Sequence, residues 1–135
     1  PQRKDSLCGI RVLLAEDNDL NAEIAEIQLE ELGMTVTRAA DGKQAVGLFV
    51  DSPAGTFDVI LMDIMMPQMN GYEATKAIRR IQNRPDALAI PIIAMTANAF
   101  AEDVQASLDA GMNGHLSKPI VMDEVIKTIA RNLDR

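Results

Sequence analysis

The sequence predicts an α/β domain: a parallel sheet wrapped by helices on both faces. Two observations carry this. Five short runs rich in apolar residues, four to six residues each, alternate with five longer segments of helical character. The chain is 135 residues long, enough for one domain that buries roughly two-thirds of the surface its unfolded form exposes. It shows no repeat, low-complexity tract or internal linker, so all five units belong to one sheet.

The elements follow in order. Ile10 to Ala15 (IRVLLA) is rich in branched residues and breaks into acid, which reads as a first strand. From Leu20 to Leu32 apolar residues recur at Leu20, Ile24, Ile27 and Leu32, close to a 3.6 period, behind Asn18 or Asp19 as N-cap. Gly33 stops that helix. Met34 to Ala39 (MTVTRA) alternates as a strand does, and Asp41-Gly42 opens a shorter helix reaching about Val50. Ser52 to Thr56 forms a turn. Phe57 to Met62 (FDVILM) is a third strand, again ending in an acid, Asp63. Asn70-Gly71 leads into a third helix through about Ile81. Gln82 to Ala89 reads as a polar connection in which Pro85 bars a continued helix. Ile90 to Met95 is the fourth strand, and a helix from about Phe100 to Ala110 closes at Gly111. Gly114 to Ser117 is a short fifth strand. Val121 to Leu133 is the last helix, with Met122, Val125, Ile126, Ile129 and Leu133 in one stripe.

Composition excludes several function classes. Thirteen basic and twenty acidic residues leave a net charge of −7, the wrong sign for nonspecific binding to nucleic acid. Phe and Tyr are scarce and Trp is absent, so bases would find few stacking platforms. A single cysteine, Cys8, rules out an internal disulfide and fits a reducing, cytoplasmic compartment. No apolar run approaches the roughly 20 residues of a membrane span. Eight methionines are expected mainly as core filler. The chain opens with Pro1 rather than Met, as expected of a processed chain or of a domain cut from something longer; residues 10–133 are expected to form the domain and 1–9 an N-terminal linker or extension.

In a parallel sheet of this kind, ligands bind outside the carboxyl ends of the strands. Past the first strand stand Glu16, Asp17, Asn18 and Asp19; past the third Asp63; past the fourth Thr96; past the fifth Lys118. Acids after strands also serve as helix caps, and Asp19 fits that role. If the first and third strands are neighbours, however, Glu16, Asp17 and Asp63 share one pocket. Two carboxylates about 5 Å apart at an effective dielectric of about 20 repel by about 3 kcal/mol. Three of them need protons, basic partners or a cation. Carboxylate, carbonyl and water oxygens suit a hard ion, Mg²⁺ in particular, whose shell phosphate oxygens complete. With Lys118 and Thr96 alongside, the constellation fits phosphoryl transfer.

The residues flanking these positions are VLLAEDND (Val12 to Asp19), MDIMMPQMNGYEATKAIRR (Met62 to Arg80), PIIAMTANAF (Pro91 to Phe100) and HLSKPI (His115 to Ile120). In this order, and over roughly Ile10 to Leu133, the chain resembles the receiver domain of two-component response regulators. The resemblance implies a three-layer, doubly wound (βα)5 flavodoxin-like fold with a parallel five-stranded sheet in the order 2-1-3-4-5. It implies Asp63 as phosphoacceptor, and Asp17, Asp63 and the Met65 backbone carbonyl as Mg²⁺ ligands. Glu16 would reach the metal through water, and Mn²⁺ would substitute for Mg²⁺. Thr96, Lys118 and the Ala97 backbone N–H would bind the phosphoryl oxygens, and the Lys118–Pro119 bond would be cis.

The implied reaction is in-line transfer from a phosphohistidine on a partner, a histidine kinase dimerisation domain or a histidine phosphotransfer protein, with no nucleic acid bound and no membrane insertion. The domain would thus catalyse its own phosphorylation and later its own hydrolysis, with Met65 and Asn98 tuning the latter. Thr96 and His115 would form the switch, although His115 stands where relatives carry Tyr or Phe. Glu23, Glu26, Glu30 and Glu31 make the first helix acidic, as a solvated face or a docking rim. The EDND, TANAF and HLSKPI wording points to a hybrid sensor histidine kinase as parent; a stand-alone regulator and a non-phosphorylated pseudo-receiver are the alternatives. An FMN-binding flavodoxin-like protein would want a hydroxyl- and glycine-rich loop in place of Glu16 and Asp17. An aspartyl phosphohydrolase would want an acid at Met65.

Overall fold

The computed structural model describes residues 7–97, 101–118 and 120–133. Its elements run β1 (Arg11–Ala15), α1 (Asp19–Glu31), β2 (Thr35–Ala39), α2 (Gly42–Asp51), β3 (Val59–Asp63), α3 (Gly71–Arg79), α4 (Pro85–Ala89), β4 (Ile92–Thr96), α5 (Ala101–Ala110), β5 (Gly114–Ser117) and α6 (Met122–Asn132). All strand pairs are parallel, and the sheet order is β2-β1-β3-β4-β5. No helix of the described residues is long and apolar enough to cross a membrane.

Alternation along each strand divides the core in two. Val12, Leu14, Val59, Leu61, Ile93 and Met95 pack with α1 and α6. Leu13, Ala15, Ile60, Met62, Ile92 and Ala94 pack on the other side with Ala45, Phe49, Ala74 and Ile78 of α2 and α3. Leu7, within the segment expected to be a linker, is fully buried in the first of these cores.

Helix starts follow local chemistry. The Asn18 side chain accepts from the Asn21 N–H at the head of α1, and Asp41 does the same for Gln44 in α2. Asn70 and Glu73 form a reciprocal capping box on α3. Gly33 (φ 88°) donates its N–H to the Glu30 carbonyl and ends α1 in the left-handed turn that favours glycine.

Three expectations need correction. The connection from Gln82 to Ala89 contains a helix, α4, because Pro85 sits at its first position, where a missing N–H costs nothing. More consequentially, the apolar period Leu20, Ile24, Ile27 does not mark the buried face of α1. Those residues are 64%, 46% and 51% exposed, and the helix is buried through Ala22, Ala25 and Leu29. Two alanines let the helix lie close to the sheet, so Leu20, Ile24 and Ile27 point outward. The fourth strand also begins at Ile92, two residues late, because Ile90 caps α4.

Candidate functional site

The register of the ladder brings the strand ends together. Ala15 pairs with Met62, so Glu16 lies level with Asp63 one step further on. Glu16, Asp63 and Lys118 share the parity of Leu14, Leu61 and Leu116, and therefore the face covered by α1 and α6. Gly71 makes the close approach possible: a Cβ there would meet the Asp63 carbonyl oxygen. Its N–H donates to the Ile64 carbonyl at 2.9 Å, folding the β3–α3 loop back over the strand end.

Glu16 and Asp63 are buried, at 4% and 3% exposure. The Lys118 ammonium stands between them, 2.8 Å from Asp63 Oδ2 and 3.0 Å from Glu16 Oε1. Asp17 is exposed at the rim, yet carboxylate oxygens of Glu16, Asp17 and Asp63 lie within 4.8 Å of one another. The remaining oxygens are partly tied down. The Asn18 N–H donates to Glu16 Oε2 at 3.2 Å, and the Met65 N–H donates to Asp63 Oδ1 at 3.3 Å.

Burial pushes the Asp63 carboxyl up to about 6; the Lys118 ammonium pulls it down, and the neighbouring Glu16 pushes it up again. Burial acts on Glu16 in the same sense, but hydrogen bonds from the Lys118 ammonium, from the Asp63 carboxyl while it is protonated and from the Asn18 N–H outweigh it, so Glu16 ionises first and is held below its ordinary range. For Lys118 burial favours the neutral amine, and its two carboxylate partners reverse that, leaving the ammonium more firmly protonated than usual. One ammonium thus faces two buried carboxylates and a third at the rim, an uncompensated negative site. Hard oxygen donors with no histidine or cysteine in the group fit a divalent ion such as Mg²⁺.

The other expected residues surround this cluster. Thr96 ends β4, half-buried, one step past Met95, the register partner of Asp63; its carbonyl accepts from the Lys118 N–H at 2.8 Å. Ala97 follows, exposed. Met65 projects its side chain to solvent, 79% exposed. His115 is exposed on β5, opposite Ala94. Asn98, Phe100 and Pro119, with the expected cis bond, lie outside the described residues. Sequence reasoning missed Arg38, whose guanidinium grips the loop carrying Glu16 and Asp17; the signal was a charged residue inside the otherwise uncharged strand TVTRA. It also missed a groove of about 470 Å³ that runs from Glu16 and Lys118 past Asn21, Ile24 and Gln28 of α1 to Ile120.

A family model for the response regulator receiver domain matches residues 12–130. Histidine kinase 1 of Arabidopsis thaliana is 39% identical across 95% of this chain, which spans only 13% of that kinase's length. The receiver domain of sensor histidine kinase PA1611 from Pseudomonas aeruginosa PAO1, solved with a magnesium ion coordinated in its active-site cleft, is 39% identical with a TM-score of 0.82, covering 95% of this chain and 100% of that one. A third likeness is the complex of the Saccharomyces cerevisiae phosphotransfer protein Ypd1 with the receiver domain of its downstream response regulator Ssk1: 29% identity, TM-score 0.78, 91% of this chain and 88% of that one.

Proposed function

The chain belongs to the response regulator receiver family, and we propose that Asp63 is the residue it phosphorylates, taking the phosphoryl group from a partner's phosphohistidine. The observation that carries this is the Lys118 ammonium between the buried Asp63 and Glu16, with Asp17 within reach of both. Most of Asp63 is ionised at pH 7 even without metal, so it needs no general base. One of its carboxylate oxygens attacks phosphorus in line; the P–N bond breaks, the electron pair stays on the departing imidazole, and an acyl phosphate remains on Asp63.

Lys118 exchanges its bond to Asp63 Oδ2 for one to a phosphoryl oxygen, and the Thr96 hydroxyl and Ala97 N–H donate to the others. Asp17, Asp63 and the Met65 carbonyl would hold Mg²⁺ or, in its place, Mn²⁺, with Glu16 linked through water. Bound there, the ion supplies neutralisation of phosphoryl charge. Movement of Thr96 toward the new phosphoryl oxygen carries the signal to the face bearing His115. Water later reverses the modification at a rate set by the side chains of Met65 and Asn98.

The donor docks on α1. Leu20, Ile24 and Ile27 form an exposed apolar strip beside the groove that leads to Lys118, with Glu23, Glu26, Glu30 and Glu31 as an acidic rim. A histidine phosphotransfer protein or a kinase dimerisation domain is the partner of this face, and the parent is a hybrid sensor histidine kinase that carries this segment on its cytoplasmic side. Incubation with acetyl phosphate and Mg²⁺ should add one phosphoryl mass (about 80 Da) that Asp63→Asn abolishes. An adduct that survives Asp63→Asn, or none with the parent chain, sinks the assignment. Ile24→Glu should slow transfer from a phosphorylated partner while leaving acetyl phosphate labelling unchanged.

A further inference from the structure

Among the three acids, Asp17 has the weakest anchorage. Glu16 is held by Lys118 and by the Asn18 N–H, and Asp63 sits on a central strand with Lys118 and the Met65 N–H on its oxygens. The Asp17 carboxylate is exposed and has no hydrogen bond or ion pair among the described residues, while two like charges within 4.8 Å push it away. Its direction therefore depends on the backbone from which it springs.

That backbone is gripped from β2. Arg38 Nε and Nη2 both donate to the Glu16 carbonyl oxygen, at 3.1 and 2.8 Å, and this carbonyl belongs to the peptide that leads into Asp17. Arg38 Nη1 adds a 2.8 Å bond to Asp19 Oδ1 on the far side of the loop. The preceding peptide is fixed as well, because the Glu16 N–H donates to the Ala39 carbonyl at 3.0 Å. Arg38 is paired with Leu14 in register and lies on the same sheet face as Glu16, so its planar fork reaches one carbonyl with two N–H groups. Asp19 is 92% exposed, so that ion pair counts for little; the grip on the carbonyl is the substantial contact.

We propose that Arg38 is a positioning residue for the divalent-cation site, holding the Glu16–Asp17 peptide so that the Asp17 carboxylate points at the ion. The proposal rests on the reading of Asp17 as a metal ligand. It makes a prediction of unexpected sign. A positive charge near a cation site repels the cation, so on charge alone Arg38→Gln would tighten Mg²⁺ binding and Arg38→Lys would leave it unchanged. If the fork positions Asp17, both substitutions weaken binding, because lysine keeps the charge but not the planar pair of donors.

The test is calorimetric titration of Mg²⁺ into the metal-free chain, without any phosphodonor. The Mg²⁺ dissociation constant should rise about tenfold in Arg38→Lys and in Arg38→Gln, the scale on which outer-shell partners act. Thermal melts confirm that each variant is folded, and Arg38→Lys carries the test alone should Arg38→Gln melt early. Binding by a folded variant as tight as the parent's, or tighter, overturns the proposal. Asp17→Asn separates this failure from that of the underlying reading: if it leaves Mg²⁺ affinity intact, Asp17 is not a ligand and both ideas fall together.

Discussion

Replacing Asp63 by Asn should abolish phosphorylation and also make the metal-free domain more stable. In the fold the Asp63 carboxyl titrates near 6 against 3.8 in an open chain, because burial and Glu16 disfavour its charge more than Lys118 favours it. A folded-state value above the unfolded one means that the fold prefers the protonated form. The resulting stabilisation is complete below about 3.8 and is lost as pH rises through about 6. At pH 7 the ionised side chain therefore costs about 3 kcal/mol, falling to about 1 to 2 kcal/mol at pH 5.

Asparagine removes that charge and can still accept the Lys118 hydrogen bond through its Oδ1, so most of the cost disappears. Urea and thermal melts of parent and variant in EDTA should show the variant ahead by up to about 3 kcal/mol at pH 7, on the order of 10 °C in Tm for a domain of this size. The gap should narrow at pH 5. Adding Mg²⁺ at a hundredfold excess over its dissociation constant should return about 2.7 kcal/mol to the parent and much less to the variant. A variant no more stable than the parent at pH 7, or a gap that persists unchanged at pH 5, refutes the reasoning.

Two further outcomes are expected. Gly71→Ala forces a methyl group against backbone atoms of Asp63 and Ile64, so urea midpoints should fall by about 3 kcal/mol and acetyl phosphate labelling should slow as the acceptor shifts. Met65→Asn places a polar tip where a thioether now faces solvent and should shorten the phosphoryl lifetime several-fold; an unchanged decay of the mass adduct in Mg²⁺ buffer removes Met65 from any role in hydrolysis.

The strand ends were legible because their signals are local. Runs such as VILMD and IIAMT announce buried strands, and a polar residue stands where each run stops. Caps at Asn18, Asp41 and Asn70 are equally local, since each side chain bonds an N–H three residues ahead. The buried face of α1 was not legible by the same means. Leu20, Ile24 and Ile27 carry the stronger periodic signal, but Ala22 and Ala25 are the residues that fit against the sheet, and hydropathy undervalues a small side chain that permits close packing. The helix in α4 was hidden for a similar reason: proline forbids a helix interior and favours its first turn, and only the surrounding structure decides which applies.

By itself, then, the order of residues determined the alternation of strands and helices, the acids, hydroxyl and ammonium at the strand ends, and the class of ion they suit. Tertiary structure decided which of these groups touch. Lys118 meets Asp63 across 55 positions of chain, Arg38 meets Glu16 across 22, and α1 turns Leu20, Ile24 and Ile27 toward solvent instead of the core. The physical reason is range. Helical and strand periodicities, caps and turns are set by neighbours a few residues apart, whereas the registry of the sheet and the packing of helices on it are settled by contacts that no local window contains.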